Sequence, residues 1–123
     1  MTTLSLSLPQ SIVESLPEDG ENARLDMERA VAGWERQLNE LLDTNEETGG
    51  IVDLLERFED RWERYDDFVV ELRAWGQSPI YAMAWRDLHA HVIRQLYEHE
   101  DLADRIDRER NARIVEDGIR RSG

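Results

Sequence analysis

The sequence predicts a mainly α fold, an antiparallel helical hairpin or bundle, with a short N-terminal β-strand, a candidate for pairing between subunits, as the one exception to its helical reading. Three observations carry that expectation. Apolar residues recur in steps of four and three through 51–72 and again through 81–96; the short turn between these runs holds Gly76 and Pro79; and residues 2–8 alternate polar with apolar.

Leu4, Leu6 and Leu8 fall on one side of that opening run, and Thr3, Ser5 and Ser7 on the other, as in a strand. A single strand finds no partner elsewhere in this chain, so it implies pairing with another copy or an extended arm. Ile12, Val13 and Leu16 then take helical spacing over 10–16, and Pro17-Glu18-Asp19-Gly20 ends that helix in a turn. From Asn22, read as an N-cap, to 42 the positions Met27, Val31, Trp34, Leu38 and Leu41 form an amphipathic stripe. Residues 43–50 are polar and end in Gly49-Gly50, the clearest internal boundary.

The third helix carries the strongest pattern: Ile51, Leu55, Phe58, Trp62, Tyr65, Val69 and Leu72 make a heptad seam that must face another helix. It ends near Trp75-Gly76, and Ser78-Pro79 supplies the next N-cap and first helical residue. Tyr81, Trp85, Leu88, Val92 and Leu96 continue the seam, folding the chain back as a hairpin with Trp75 and Ile80 near its tip. After 98–101 the apolar positions thin to Leu102, Ile106, Ile114, Val115 and Ile119. The helix either runs on or restarts at Asp101, and its last part packs on its own body, on a neighbour, or frays. The expected organisation is thus 1–42, a strand-helix-helix segment; 51–100, the hairpin; and 101–123, a charged helical tail, together one folded unit.

The 123 residues carry a formal net charge of −13, and all 15 basic residues are arginine. Six of these, Arg105, Arg108, Arg110, Arg113, Arg120 and Arg121, lie in the tail. A lysine-free, carboxylate-rich composition resembles that of haloarchaeal proteins, whose acidic surfaces stay hydrated in molar salt, where charges are screened over about 3 Å. In such a solvent net acidity weakens the case against nucleic-acid binding, because phosphate attraction is screened as well. Cysteine is absent, which excludes disulfides and thiolate chemistry. Neither a membrane-length apolar run nor a signal peptide is visible, so a cytoplasmic protein without membrane contact is expected.

Candidate chemistry is sparse. Asp87 and His91 are four apart on one helical face, with Gln95 and Glu98 beyond them, a spacing that can share a metal, yet no second helix offers a matching histidine. The histidines, His89 and His91 among them, are expected to be exposed or half-buried on the back of the hairpin. Glu56, Asp60 and Glu63 read as a solvated face, and neither a nucleophile elbow nor a phosphate loop is present. No metal or cofactor is expected, and no enzymatic activity. Trp34, Trp62 and Trp85 fall on the seams and are expected in the core, whereas Trp75 is placed to anchor a partner. Arg105, Arg108 and Arg113 of the tail are the other candidate partner contacts.

The opening Thr3-Leu4-Ser5-Leu6-Ser7-Leu8-Pro9, the helix Ser11 to Leu16, a turn ending in Gly20 and a helix from Asn22 together resemble the first third of ribbon-helix-helix proteins, including antitoxin-type small regulators. The resemblance implies a homodimer with paired strands, Thr3, Ser5 and Ser7 presented to the DNA major groove, and Asn22 near a phosphate. This chain departs from the pattern: the strand has no Arg, Lys, Asn or Gln, and Glu18, Asp19 and Glu21 crowd the turn. Two functions therefore compete, and the sequence ranks the first above the second. One is a dimeric DNA-binding or antitoxin-like regulator; the other is a structural or assembly component, such as a viral connector-type protein, built as a higher homo-oligomer from packed helices.

Overall fold

The structure, a computed structural model, describes residues 4–43 and 50–122; the side chains of 43, 113 and 116–122 lie outside that description. Thr3 and residues 44–49 therefore fall outside it, as do the side chains of Arg113, Ile119, Arg120 and Arg121. The chain runs α1 (Gln10–Ser15), α2 (Glu21–Asp43), α3 (Gly50–Ala74), α4 (Ile80–Glu98) and α5 (Glu100–Ser122).

The expected N-terminal strand is not formed: no strand occurs among the described residues, and 4–9 run as an extended arm along α2. The physical reason lies in two α2 side chains. Asn39 accepts from the Leu4 amide at 2.9 Å and donates to the Leu4 carbonyl at 3.1 Å, while Glu35 accepts from the Leu6 amide at 2.9 Å. Side chains one helical turn apart lie about 6 Å from each other, and alternate residues of an extended chain advance nearly the same distance. The helix surface thus substitutes for a neighbouring strand and satisfies backbone groups that would otherwise be orphaned. The alternation itself is as expected, with Leu4 and Leu6 buried in the core and Ser5 and Ser7 exposed.

Pro9 starts α1, its carbonyl accepting from Ile12 and Val13 at 3.1 and 3.2 Å, and the chain turns at Pro17, whose carbonyl accepts from the Gly20 amide at 2.9 Å. A Cβ on Gly20 would sit 2.9 Å from that same carbonyl oxygen, so any other residue forces the turn to shift. Helix α2 begins at Glu21, with the Gly20 carbonyl accepting from Arg24; Asn22 is thus inside the first turn and not the N-cap.

Helices α3 and α4 form the expected antiparallel hairpin. Leu72 and Arg73 accept from Gln77 and Gly76 at 2.8 and 3.1 Å, and Gly76 takes φ 72°, the left-handed closure of a Schellman turn. Pro79, one residue later than Ser78, holds the N-cap position of α4 and makes no side-chain cap. Seam residues Ile51, Leu55, Phe58 and Val69 of α3 and Leu88, Val92 and Leu96 of α4 are buried as expected. Trp62 and Tyr81 are not: both are exposed, because the far half of the hairpin is covered on fewer sides than its base. At the base, Val52 and Leu54 are buried in addition to the seam.

The chain breaks at His99 and restarts as α5. The His99 Nδ1 accepts from the Leu102 amide at 3.4 Å and its carbonyl from Ala103 at 2.8 Å, capping the new helix. Leu102 and Ile106 are fully buried, anchoring the first half of the tail on the body, whereas Ile114 and Val115 are exposed. From α5, Glu109 accepts from the Val52 amide at 3.1 Å and the Arg105 guanidinium donates to the Leu41 carbonyl. An anion thus meets the start of α3 and a cation the end of α2, each matching the sign of the helix dipole at that point.

Candidate functional site

Two features of the described residues lie outside ordinary core packing: a buried imidazole and an uncovered face of α3. His89 is 2 % exposed, contrary to the expected position on the back of the hairpin. Its ring lies 5.2 Å from Trp34, 5.8 Å from Phe58, 5.3 Å from Tyr65 and 6.4 Å from Trp85, so α2, α3 and α4 all contribute walls. Nδ1 lies 2.7 Å from the Trp85 carbonyl oxygen, which can only accept, so Nδ1 carries the proton and donates. The bare Nε2 is buried without a hydrogen-bond partner among the described residues. Burial lowers the His89 pKa below 6.5; the Trp85 carbonyl opposes this, and the charge of Arg61 lowers it further. The arrangement holds a neutral imidazole in an aromatic box and resists its protonation.

His91 is half-buried with its Nε2 also unpartnered, and burial and then Arg94 lower its pKa against the opposing pull of Glu98. Asp87 bonds to Arg86 at 3.3 Å, and no group of three or more His, Asp or Glu among the described residues is arranged to hold a metal.

The second feature is a stripe on α3. Arg57, Arg61, Arg64, Phe68, Glu71 and Trp75 repeat in steps of four and three, side by side with the buried seam, and all six are exposed. Trp75 is 65 % and Phe68 42 % exposed. A shallow groove of about 590 Å³ lies here, lined by Arg61, Arg64, Tyr65, Asp67, Phe68 and Glu71. Arg57, Arg61, Arg64, Asp67 and Glu71 form no ion pair among the described residues, in contrast to Arg86, which bridges α4 to Asp66 of α3 at 3.0 Å.

The residues singled out from sequence are scattered rather than assembled. Ser5 and Ser7 are exposed on the arm and Asn22 on the first turn of α2. Trp75 is exposed at the hairpin end, and Arg105 and Arg108 lie on α5, Arg105 engaged with the end of α2 and Arg108 donating to the Asp104 carbonyl at 3.5 Å. Sequence reasoning missed the burial of His89 and the α3 stripe. The stripe was readable in the spacing of Phe68 and Trp75, seven residues apart, whereas the box around His89 draws on three helices.

No helix among the described residues is long and apolar enough to cross a membrane. No curated protein and no solved structure matches the chain. Residues 1–123 match the family described as a family of unknown function, DUF7971, and the chain belongs to that family.

Proposed function

We propose that this protein is a non-enzymatic assembly component that acts by associating with further copies of itself through the uncovered end of the α3–α4 hairpin. The observation that carries this reading is the exposure of Phe68 on α3 and of Trp75 just past its end, on a face adjacent to the buried seam. Large aromatic side chains contribute most to association when they leave water, and a face that combines them with uncommitted arginines has the composition of an interface centre. A regulator that reads DNA through Ser5 and Ser7 has those hydroxyls on the outside of the arm, but Asn39 and Glu35 already take up the Leu4 and Leu6 backbone edge, which leaves a second arm only the Ser5 and Ser7 edge to pair with. The geometry therefore favours assembly.

A chain of net charge −13 repels its own copies, so the association is expected to strengthen as salt screens that repulsion. Light scattering after size exclusion in molar potassium chloride tests the reading. The native chain is expected to have the mass of an oligomer, and Phe68→Ser with Trp75→Ser is expected to lower that mass while leaving the far-ultraviolet circular dichroism intact. A native chain of monomer mass at every concentration and salt level would remove the proposal.

A further inference from the structure

The α3 stripe has an order as well as a composition. Toward its N-terminal side stand Arg57, Arg61 and Arg64; toward its C-terminal side stand Phe68, Glu71 and Trp75. Cations precede one carboxylate and two aromatic rings along this exposed row, and none of these charges is neutralised by an ion pair among the described residues. Such an arrangement is complementary to itself when reversed. Two copies of α3 laid antiparallel about a two-fold axis beside Asp66 set Arg61 opposite the second copy's Glu71. The same register sets Arg64 opposite its Phe68, and Arg57 opposite its Trp75.

We infer that the occupant of this face is a second copy of the chain, with α3 packed antiparallel on α3 in an isologous interface registered by Arg61 and Glu71. This inference rests on the assembly reading above and specifies its geometry. A two-fold interface must satisfy each contact twice, and here each of the three pairings recurs on the other side of the axis. One is an ion pair and two place a guanidinium against an aromatic face, an interaction that draws on dispersion and ring contact as well as charge. Antiparallel packing also sets the two helix dipoles in opposition. The groove between Arg61 and Glu71 gives Phe68 of the second copy a recess in which to seat.

A charge exchange tests the register. Arg61→Glu alone places like charges across the axis and is expected to weaken self-association about tenfold. Glu71→Arg alone is expected to weaken it similarly, although it lowers the net negative charge and so reduces the general repulsion between copies. The doubly exchanged chain, Arg61→Glu with Glu71→Arg, restores opposite charges and is expected to recover the native dissociation constant. Glu40→Arg, on the exposed side of α2, changes net charge as Glu71→Arg does and is expected to leave association unchanged or stronger. Sedimentation equilibrium of all five chains in moderate salt, with circular dichroism as the folding control, reads these outcomes. A native oligomer indifferent to the exchanges would overturn the α3 pairing while leaving self-assembly standing. A native chain that stays monomeric would remove the assembly reading as well, leaving the stripe to a helix of another protein.

Discussion

His89 concentrates the physical tension of the fold in one side chain. Its Nδ1 is satisfied by Trp85, but protonating Nε2 would put a positive charge on a buried nitrogen that has no acceptor among the described residues. In the unfolded chain the imidazole titrates near its ordinary value of about 6.5, and burial lowers that value in the folded protein. As pH falls, the unfolded chain takes up the proton first, so stability present above about pH 7 is lost progressively as pH drops below about 6.5. Thermal melts between pH 7.5 and 5.5 are expected to show a falling Tm, and His89→Phe to flatten the slope, leaving the share due to His91. An unchanged slope in that variant would assign the pH dependence elsewhere. Gly20 is a second residue-scale constraint: Gly20→Ala drives a Cβ against the Pro17 carbonyl and is expected to cost about 1–3 kcal/mol in chemical denaturation.

At the scale of elements, the arm and α5 hold the helices together by reaching groups that the helices cannot satisfy alone. Asn39 makes two hydrogen bonds to Leu4, so Asn39→Ala is expected to cost about 1–3 kcal/mol, as groups of a partly buried backbone lose their partner. Removing residues 1–8 takes Leu4 and Leu6 out of the core, and is expected to lower stability by more than Asn39→Ala does. With the arm docked on α2, loss of thermal stability is the expected primary effect. Denaturation of the truncated chain with an unaltered midpoint would show that the arm is not part of the core.

Over the whole molecule, the balance between charge and core decides the conditions under which the fold persists. A net charge of −13 on 123 residues opposes compaction, and in molar salt that repulsion reaches only about 3 Å. Tm is therefore expected to rise with potassium chloride from low to molar concentration. A flat or falling Tm over that range would contradict the halophilic reading of the lysine-free surface.

Much of the helical architecture is legible in the sequence. The seam from Ile51 to Leu72 and the Gly76 turn follow from helical periodicity and from the freedom of glycine at positive φ, both properties of local sequence. The burial alternation of Leu4, Ser5 and Leu6 is local in the same sense, because an extended chain turns successive side chains to opposite faces. What that segment pairs with is not local: a backbone edge can be satisfied by a strand or by side chains spaced one helical turn apart, and only the approach of α2 selects Asn39 and Glu35. The same reason separates Trp62 from Phe58 on one seam, since burial depends on how many helices converge at each level of the hairpin. The box around His89 exists only because Trp34, Phe58, Tyr65 and Trp85 converge from three helices, so the sequence by itself determined the helices and the faces they present, while tertiary packing alone decided which faces close on one another and which are left open to solvent.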